Sequence, residues 1–154
     1  MKIRKATKLD SEKFVRLQKE EFPNLNSMLQ KKYFMKKIKE GTLLILEDKK
    51  NYIGHISFGV YKSPPFGHGI FLEEFAIKKE FQGKGLGSYL LKEIEKYCKN
   101  KRIDIIYLGT EDSNKNKAIN FYKKQGYQVV GRLKDINPSS EYKHGQIFMA
   151  KVIK

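Results

Sequence analysis

The stretch Gln82-Gly83-Lys84-Gly85-Leu86-Gly87-Ser88-Tyr89-Leu90-Leu91-Lys92 decides the fold of this 154-residue chain. Its three alternating glycines lie between an apolar run and an amphipathic helical pattern. Glycine permits backbone bends that a Cβ would forbid, and the first N–H groups of a helix have no partner within it. The stretch therefore predicts a turn that leads into a helix and binds an anionic group.

Two better-known glycine loops do not match this stretch. The dinucleotide-binding fingerprint needs G-x-G-x-x-G, and the nucleotide P-loop needs G-x-x-x-x-G-K-[ST]. Here the spacing is G-x-G-x-G, and Lys84 lies between glycines. Taken alone, the pattern leaves two interpretations open, a phosphate-binding loop and a flexible turn between a strand and a helix.

The segments around the loop predict an α/β domain on one mixed sheet. Ile70 to Ile77 reads as a strand, a helix is expected from about Gly87 to Lys99, and Ile103 to Gly109 reads as a further strand. A strand, a helix and a strand in this order form a parallel crossover. Along the whole chain the expected order is β-α-α-β-β-β-α-β-α-β-β, with the second helix from about Leu25 to Lys39.

Length and composition predict a single domain over residues 1–154. No stretch approaches the roughly 18 apolar residues of a membrane span, and the N-terminal residues lack the apolar segment of a signal peptide. The single cysteine, Cys98, cannot form an internal disulfide and falls late in a helical pattern, so we expect it to be a packing residue. These features predict a cytoplasmic protein without a membrane partner.

The formal net charge of +15 raises the question of nucleic-acid binding. Of the 32 basic residues 28 are lysine, whereas bidentate recognition of bases and phosphates favours arginine. The basic residues are also spread along the chain instead of forming one stripe. We therefore expect a lysine-rich solvated surface, with nucleic acid unlikely as the principal partner.

Two separate motifs carry a resemblance to a known family. Leu72-Glu73-Glu74-Phe75-Ala76-Ile77, followed four residues later by Gln82 to Ser88, resembles the acetyl-CoA-binding motif of the GNAT N-acetyltransferases, whose core is [QR]-x-x-G-x-[GA]. Ala118 to Tyr127 is similar to the later family segment A-I-x-[FL]-Y-x-x-x-G-[FY]. The resemblance implies a single-domain GNAT-like fold, with a mixed, mostly antiparallel, twisted sheet of about seven strands and about four flanking helices.

The resemblance also implies acetyl-CoA as the cosubstrate and CoA as the product. The phosphates would meet N–H groups at the start of a helix, and the pantetheine amides would pair with a strand edge; no metal ion is needed. The implied cofactor-binding residues are the strand backbone of Phe75, Ala76 and Ile77 and the loop of Gln82, Gly83, Lys84, Gly85, Leu86, Gly87 and Ser88.

Acetyl transfer to an amine needs a base, a donor for the developing oxyanion and a proton for the leaving thiolate. The resemblance implies Tyr122 as the acid and Glu73 as the favoured base, with direct attack of the amine in a ternary complex. Glu74 is the second carboxylate, and the alternation of side chains along a strand predicts that at most one of the two points into the acceptor site. His55 and His68 are further possible bases, although a lone histidine is more often structural.

The chain departs from the family pattern at one position. Many members carry an asparagine seven residues before the tyrosine, where it helps to hold the cofactor, whereas this chain has Lys115 there, between Asn114 and Asn116. Asn116 is the expected substitute if the helix start is shifted. It is equally suited to cap that helix.

The acceptor amine cannot be identified from the sequence. The resemblance places it near Phe22 to Phe34 and near Asp135 to His144, and it leaves small molecules, polyamines, protein N-termini and lysine side chains open. The alternative function is a non-catalytic sensor or scaffold domain that binds an acyl-CoA. A homodimer through the C-terminal strands is also open.

Overall fold

Strands and helices follow one another in the order that the sequence predicts. The computed structural model describes residues 1–24, 26–63, 67–134 and 145–153. Short 3₁₀ turns at Lys8–Asp10 and Lys79–Phe81 precede the first and third helices. The elements are β1 (Lys2–Lys5), α1 (Ser11–Glu21), α2 (Ser27–Glu40), β2 (Leu43–Asp48), β3 (Asn51–Ser63), β4 (Gly67–Ile77), α3 (Leu86–Lys101), β5 (Ile105–Glu111), α4 (Lys117–Lys124), β6 (Gln128–Leu133) and β7 (Gln146–Val152).

The described strands form a seven-stranded sheet in the order β1-β2-β3-β4-β5-β7-β6. β4 and β5 pair in parallel, from Gly69 opposite Ile105 to Leu72 opposite Leu108, as a crossover through α3 requires. The pairs β1–β2, β2–β3, β5–β7 and β6–β7 are antiparallel. The predicted fold class, a mixed and mostly antiparallel sheet with four helices, is confirmed.

The chain divides into two compact units. The first comprises Met1–Gly59 and Glu73–Ile94, and the second comprises Val60–Leu72 and Glu95–Lys154. The single domain over residues 1–154 stays a prediction.

The first unit has an aromatic core beneath α1 and α2. The Phe14 ring lies 5.1 Å from the Phe34 ring, and both side chains are fully buried. Asn26 caps α2 by accepting hydrogen bonds from the N–H groups of its first turn, so the helix begins at Ser27. The expected start at Leu25 lies outside the described residues. α2 ends at Glu40, and Gly41 follows with a φ of 67°, which is typical of the residue after a helix C-terminus.

The second unit contains α4, the C-terminal part of α3, β5, β6 and β7. Its buried side chains include Ile106, Leu108 and Met149, and Cys98 is also fully buried. Cys98 is thus a packing residue, as predicted. Burial raises the pKa of its thiol to about 12, which argues against a cysteine nucleophile. Among the described residues, no helix is both long and apolar enough to cross a membrane.

Candidate active site

The glycine loop of the first unit has a backbone that only glycine adopts easily. Gly83 and Gly85 have φ values of 74° and 76°, in the left-handed region. A Cβ built on either residue would meet no atom within 4 Å, so glycine is needed here for conformation and the space beside the backbone is open. The Gln82 side chain donates to Ile77 O at 2.8 Å and ties the loop to the end of β4. The loop is thus a turn that leads from β4 toward α3, as the sequence predicted, and its binding of an anion stays a prediction.

The loop leads directly into the N-terminus of α3. The helix begins at Leu86, and Tyr89 N–H bonds back to Gly85 O at 3.0 Å. The N–H groups of Leu86, Gly87 and Ser88 precede that first bond, so they have no partner within the helix. A phosphate is the kind of group that such N–H groups bind.

The end of β4 carries the residues predicted to bind pantetheine. The described register of β4 with β5 ends at Leu72. Beyond it, Phe75 is half-buried, whereas Ala76 and Ile77 are buried. A Cβ on Gly54 of β3 would collide with the carbonyl oxygen of Ala76, so glycine there allows close approach of the β4 backbone.

The Glu73 carboxylate is held through one of its oxygens. Lys37 Nζ lies 2.6 Å from Oε2, and the Tyr33 hydroxyl donates to the same oxygen at 2.7 Å. No further contact to this carboxylate occurs in the described part of the chain, so Oε1 is uncommitted. The side chain is 20% exposed. Glu73 is therefore oriented by α2 and keeps one carboxylate oxygen without a bond to a described residue.

Lys37 is buried although it is charged, with 1% of its surface exposed. Its Nζ donates to Phe58 O at 3.0 Å and forms ion pairs with Glu73 and with Glu40, the latter at 3.0 Å. Three acceptors match the three N–H groups of an ammonium, which compensates for its removal from water.

Sequence reasoning missed Lys37 and Tyr33, although α2 carries a signal for Lys37. Gln30, Phe34 and Lys37 are the buried residues of this helix and form an i, i+4, i+7 stripe. A lysine on the buried stripe of a helix predicts a charged partner on the element below it. Met28 and Leu29 on the same helix are apolar but exposed.

The neighbouring carboxylate, Glu74, bonds to the other helix. Gln18 of α1 donates its amide to Glu74 Oε2 at 2.5 Å and also reaches Gln30 of α2. Successive side chains of a regular strand point to opposite faces, so this alternation did not predict that Glu73 and Glu74 would both bond to side chains of α1 and α2. The Glu74 N–H donates to Ser57 Oγ at 3.1 Å, so a side chain enters the hydrogen bonding of the strand at this point.

His55 is fully buried, and its ring lies 4.5 Å from the Phe14 ring. Burial lowers its pKa to about 3, so the imidazole is neutral near pH 7. It bonds to Tyr52 and Gln18, and the structure thus favours the structural interpretation over a role as base. His68 lies in the second unit, where its carbonyl accepts from Asp104 N–H.

Tyr122 lies on α4 in the second unit and is 7% exposed. Its ring makes an edge contact with the Tyr127 ring at a centroid distance of 5.4 Å. Burial raises the pKa of Tyr122, so the hydroxyl stays protonated at neutral pH. That protonation state is the one a general acid requires.

Asn116 is the cap of α4. Its Oδ1 accepts from Ala118 N–H at 3.0 Å, and its Nδ2 donates to Thr110 Oγ1 at 2.8 Å and to Glu111 O at 2.7 Å. The side chain thus has a structural function, and the cofactor contact stays a prediction. Asn114 is exposed. The predicted acceptor region Asp135 to His144 lies outside the described residues.

A cavity of about 460 Å³ lies beside α1 in the first unit and contains none of the predicted site residues. Buried Leu17 and Tyr52 line it together with charged side chains.

Comparison with known proteins gives partial matches in sequence and full-length matches in structure. The chain is 31% identical over 74 residues to the thialysine N-epsilon-acetyltransferase of Bos taurus, a match that covers 48% of this chain and 41% of that protein. The match thus spans about two fifths of the curated relative.

Among solved structures, the ribosomal-protein-alanine N-acetyltransferase from Brucella melitensis has a TM-score of 0.81 at 20% identity and covers 99% of both chains. An aminoglycoside 6'-N-acetyltransferase complexed with coenzyme A has a TM-score of 0.82 at 18% identity, with 100% of this chain and 98% of that chain covered. At these identities the likeness shows the fold, and it agrees with the prediction from the two motifs. The model of the acetyltransferase (GNAT) family matches residues 11–127, and the chain therefore belongs to that family.

Proposed function

We propose that this protein is an acetyl-CoA-dependent N-acetyltransferase that acetylates a primary amine by direct attack in a ternary complex. The observation that carries the proposal is the glycine loop, in which two left-handed glycines leave open space beside a helix N-terminus. The pyrophosphate of acetyl-CoA is an anion of the kind that such N–H groups bind. A family neighbour crystallised with coenzyme A supports the same cosubstrate.

The loop and β4 would bind different parts of acetyl-CoA. The N–H groups of Gly83 to Ser88 would bind the phosphates, and the backbone of Phe75 to Ile77 would pair with the pantetheine amides. Bound acetyl-CoA supplies an activated acetyl group as a thioester. A strand N–H near Phe75 to Ile77 would stabilise the developing oxyanion.

Glu73 and Tyr122 are the proposed base and acid. The uncommitted Oε1 of Glu73 would take a proton from the acceptor amine through a water molecule, while Lys37 and Tyr33 keep the carboxylate in one orientation. Tyr122, protonated at neutral pH because burial raises its pKa, would donate a proton to the leaving thiolate. The two residues lie in different units, and their roles are proposed independently of each other.

The acceptor is a primary amine of a small molecule, a polyamine, a protein N-terminus or a lysine side chain. The names of the relatives include thialysine and aminoglycoside acetyltransferases, so the family does not narrow the choice. Lys37 already supplies a positive charge to Glu73, which disfavours Glu73 as the direct counter-ion of a second substrate ammonium.

A cytoplasmic location and a homodimer are further parts of the proposal. A single buried cysteine is compatible with a reducing compartment. β6 is at the edge of the sheet and exposes Val130 and Leu133, which would suit pairing with a second copy.

Isothermal titration with acetyl-CoA and CoA, followed by a thiol-release screen over a panel of primary amines, tests the proposal. Binding with thiol release on one amine class supports the enzyme and identifies its acceptor. Binding without release on any amine favours the alternative, an acyl-CoA sensor or scaffold. Absence of binding contradicts both functions.

A further inference from the structure

A chain of hydrogen bonds between side chains runs through the core of the first unit and ends on Glu74. The Tyr52 hydroxyl lies 2.8 Å from His55 Nδ1, and His55 Nε2 lies 3.2 Å from Gln18 Oε1. Gln18 Nε2 then lies 2.5 Å from Glu74 Oε2. Tyr52, His55 and Gln18 are all at most 4% exposed. Solvent therefore does not compete for the bonds that join these three side chains.

The chemistry of the groups fixes the direction of every bond. The Gln18 amide must present its nitrogen to the carboxylate, which leaves its carbonyl oxygen facing His55. A carbonyl oxygen only accepts, so His55 Nε2 carries a proton. The imidazole is neutral in this buried site and has one N–H, so Nδ1 accepts from the Tyr52 hydroxyl. The three donors point in one direction, toward Glu74.

Such an arrangement is costly unless every group is satisfied. A buried polar side chain without a partner destabilises a protein, and apolar residues would fill the same space at less risk. Here the second amide hydrogen of Gln18 reaches Gln30 Oε1 at 3.5 Å, and the His55 ring packs on Phe14. The Gln18 side chain is thereby held in a single orientation, and aligned donors stabilise a negative charge at the end of the chain.

The groups that bond to the two carboxylates differ in charge. Lys37 brings a positive charge to Glu73, whereas Gln18 orients Glu74 through a neutral amide. An amide donor fixes the position of a carboxylate without adding a counter-charge. Within this hydrogen-bond chain, the donor that reaches the Glu74 carboxylate is thus a neutral amide.

We propose that Tyr52, His55 and Gln18 are positioning residues that hold Glu74 for the acceptor amine. The inference rests on the proposed function, because it assigns Glu74 to the acceptor side of that reaction. Loss of one donor along the chain loosens the carboxylate and weakens acceptor binding. The binding of acetyl-CoA is unaffected, because the glycine loop makes no bond to these residues.

The test compares Tyr52→Phe and Gln18→Met with the control Tyr61→Phe in the full chain. Tyr61 lies on the same strand as Tyr52 but is 55% exposed, so the control removes a tyrosine hydroxyl outside the chain of bonds. With the amine found by the thiol-release screen, we expect the acceptor KM of Tyr52→Phe to rise about three- to tenfold, as loss of one hydrogen bond implies. The KM of Tyr52→Phe for acetyl-CoA should stay within about twofold of the wild-type value. Both KM values of Tyr61→Phe, for the acceptor and for acetyl-CoA, should also stay within about twofold of wild type.

A second readout reports the direction of the bonds without any assay of activity. Nitrogen-15 spectra of the imidazole groups should show His55 as the neutral Nε2–H tautomer between pH 5 and 8. A protonated Nδ1, or a ring that titrates in this range, would overturn the proposed direction. If Gln18→Met does not fold, Tyr52→Phe still tests the proposal, because it removes a single hydroxyl and is less disruptive to folding.

Two kinetic results count against the proposal in different ways. An unchanged acceptor KM in a folded Tyr52→Phe protein would overturn the positioning role while acetyl transfer itself is intact. A wild-type protein without acetyltransferase activity would overturn the proposed function and the role of Glu74 together, whatever the imidazole spectrum shows.

Discussion

The ammonium of Lys37 lies 2.6 Å from Glu73 Oε2 in a site where Lys37 is 1% exposed. Buried ion pairs contribute little compared with a well-packed apolar pair, but removal of one partner leaves a charge without compensation. The pair therefore makes the position of Glu73 dependent on α2.

Replacement of Lys37 by methionine should lower the free energy of unfolding by about 3 kcal/mol, because Glu73 and Glu40 lose their common cation. Urea unfolding near pH 7 measures this loss. The double variant Lys37→Met/Glu73→Gln should lose less than the sum of the two single variants, by about 1 kcal/mol. Additive losses would show that the two side chains do not interact.

Replacement of Glu73 by glutamine should lower kcat/KM for the acceptor about 100-fold or more, as expected for loss of a general base. The affinity for acetyl-CoA should change less than about twofold, because the glycine loop is untouched. Steady-state kinetics and titration calorimetry measure the two effects.

Glu40→Gln is the matched control for that variant, since it also removes a carboxylate partner of Lys37 but lies on α2. Its kcat/KM should stay within about threefold of wild type. Equal losses in Glu73→Gln and Glu40→Gln would assign the effect to Lys37 and would contradict a role of Glu73 as base.

The parts of the fold that the sequence predicted depend on local signals. Glycine at positions 83 and 85 permits the left-handed backbone found there, and the change of the apolar repeat from two residues to nearly four marks the passage from strand to helix. The prediction that Cys98 is a packing residue is confirmed by its burial, and it too depended on a local signal, the helical spacing of the segment.

The side chains that hold the Glu73 and Glu74 carboxylates come from other elements of the fold. Their contacts depend on tertiary packing, and so the sequence did not predict them. Tyr33 and Lys37 reach Glu73 across 40 and 36 positions of the chain, and nothing near Glu73 in sequence indicates which helix covers it. The alternation rule also presumes a regular ladder, whereas Ser57 Oγ accepts from the N–H of Glu74. The buried lysine on the α2 stripe was the one local clue.

Replacement of Gly85 by alanine should weaken CoA binding about tenfold. A left-handed φ costs an alanine roughly 1–2 kcal/mol, and we expect the loop to relieve this strain by turning its N–H groups away from the phosphate site. Titration calorimetry with CoA measures the change. Gly131→Ala on β6 is the control, since it also has open space around a new Cβ but no left-handed φ. Equal affinities of wild type and Gly85→Ala would contradict the role of the loop.

Replacement of Tyr122 by phenylalanine should lower kcat about 100-fold while CoA binding is retained, because only the proton donor is lost. Tyr127→Phe is the control: its ring contacts Tyr122, but its buried hydroxyl has no hydrogen-bond partner among the described residues. That variant should keep the wild-type kcat and an equal or higher stability. An active Tyr122→Phe enzyme would exclude Tyr122 as the acid.

The buried imidazole of His55 should make the protein less stable as the pH falls below about 6.5. Its pKa is about 3 in the folded protein and about 6.5 in the unfolded chain, so the unfolded state binds the additional proton. The contribution of neutral His55 to the free energy of unfolding is complete above the pKa of the unfolded chain. It is lost as the pH decreases toward the pKa of His55 in the folded protein. Between pH 6.5 and 5 the free energy of unfolding should drop by roughly 1.5 kcal/mol, above the range where carboxylates of the unfolded chain titrate.

Urea unfolding at several pH values measures this slope. His55→Gln should remove it, whereas His68→Gln, which replaces a histidine outside the buried network, should retain it. A wild-type protein with constant stability from pH 6.5 to 5 would mean that the folded state accepts the proton. The hydrogen-bond chain from Tyr52 to Glu74 would then not have the direction assigned to it, because a doubly protonated ring leaves Nδ1 unable to accept from Tyr52.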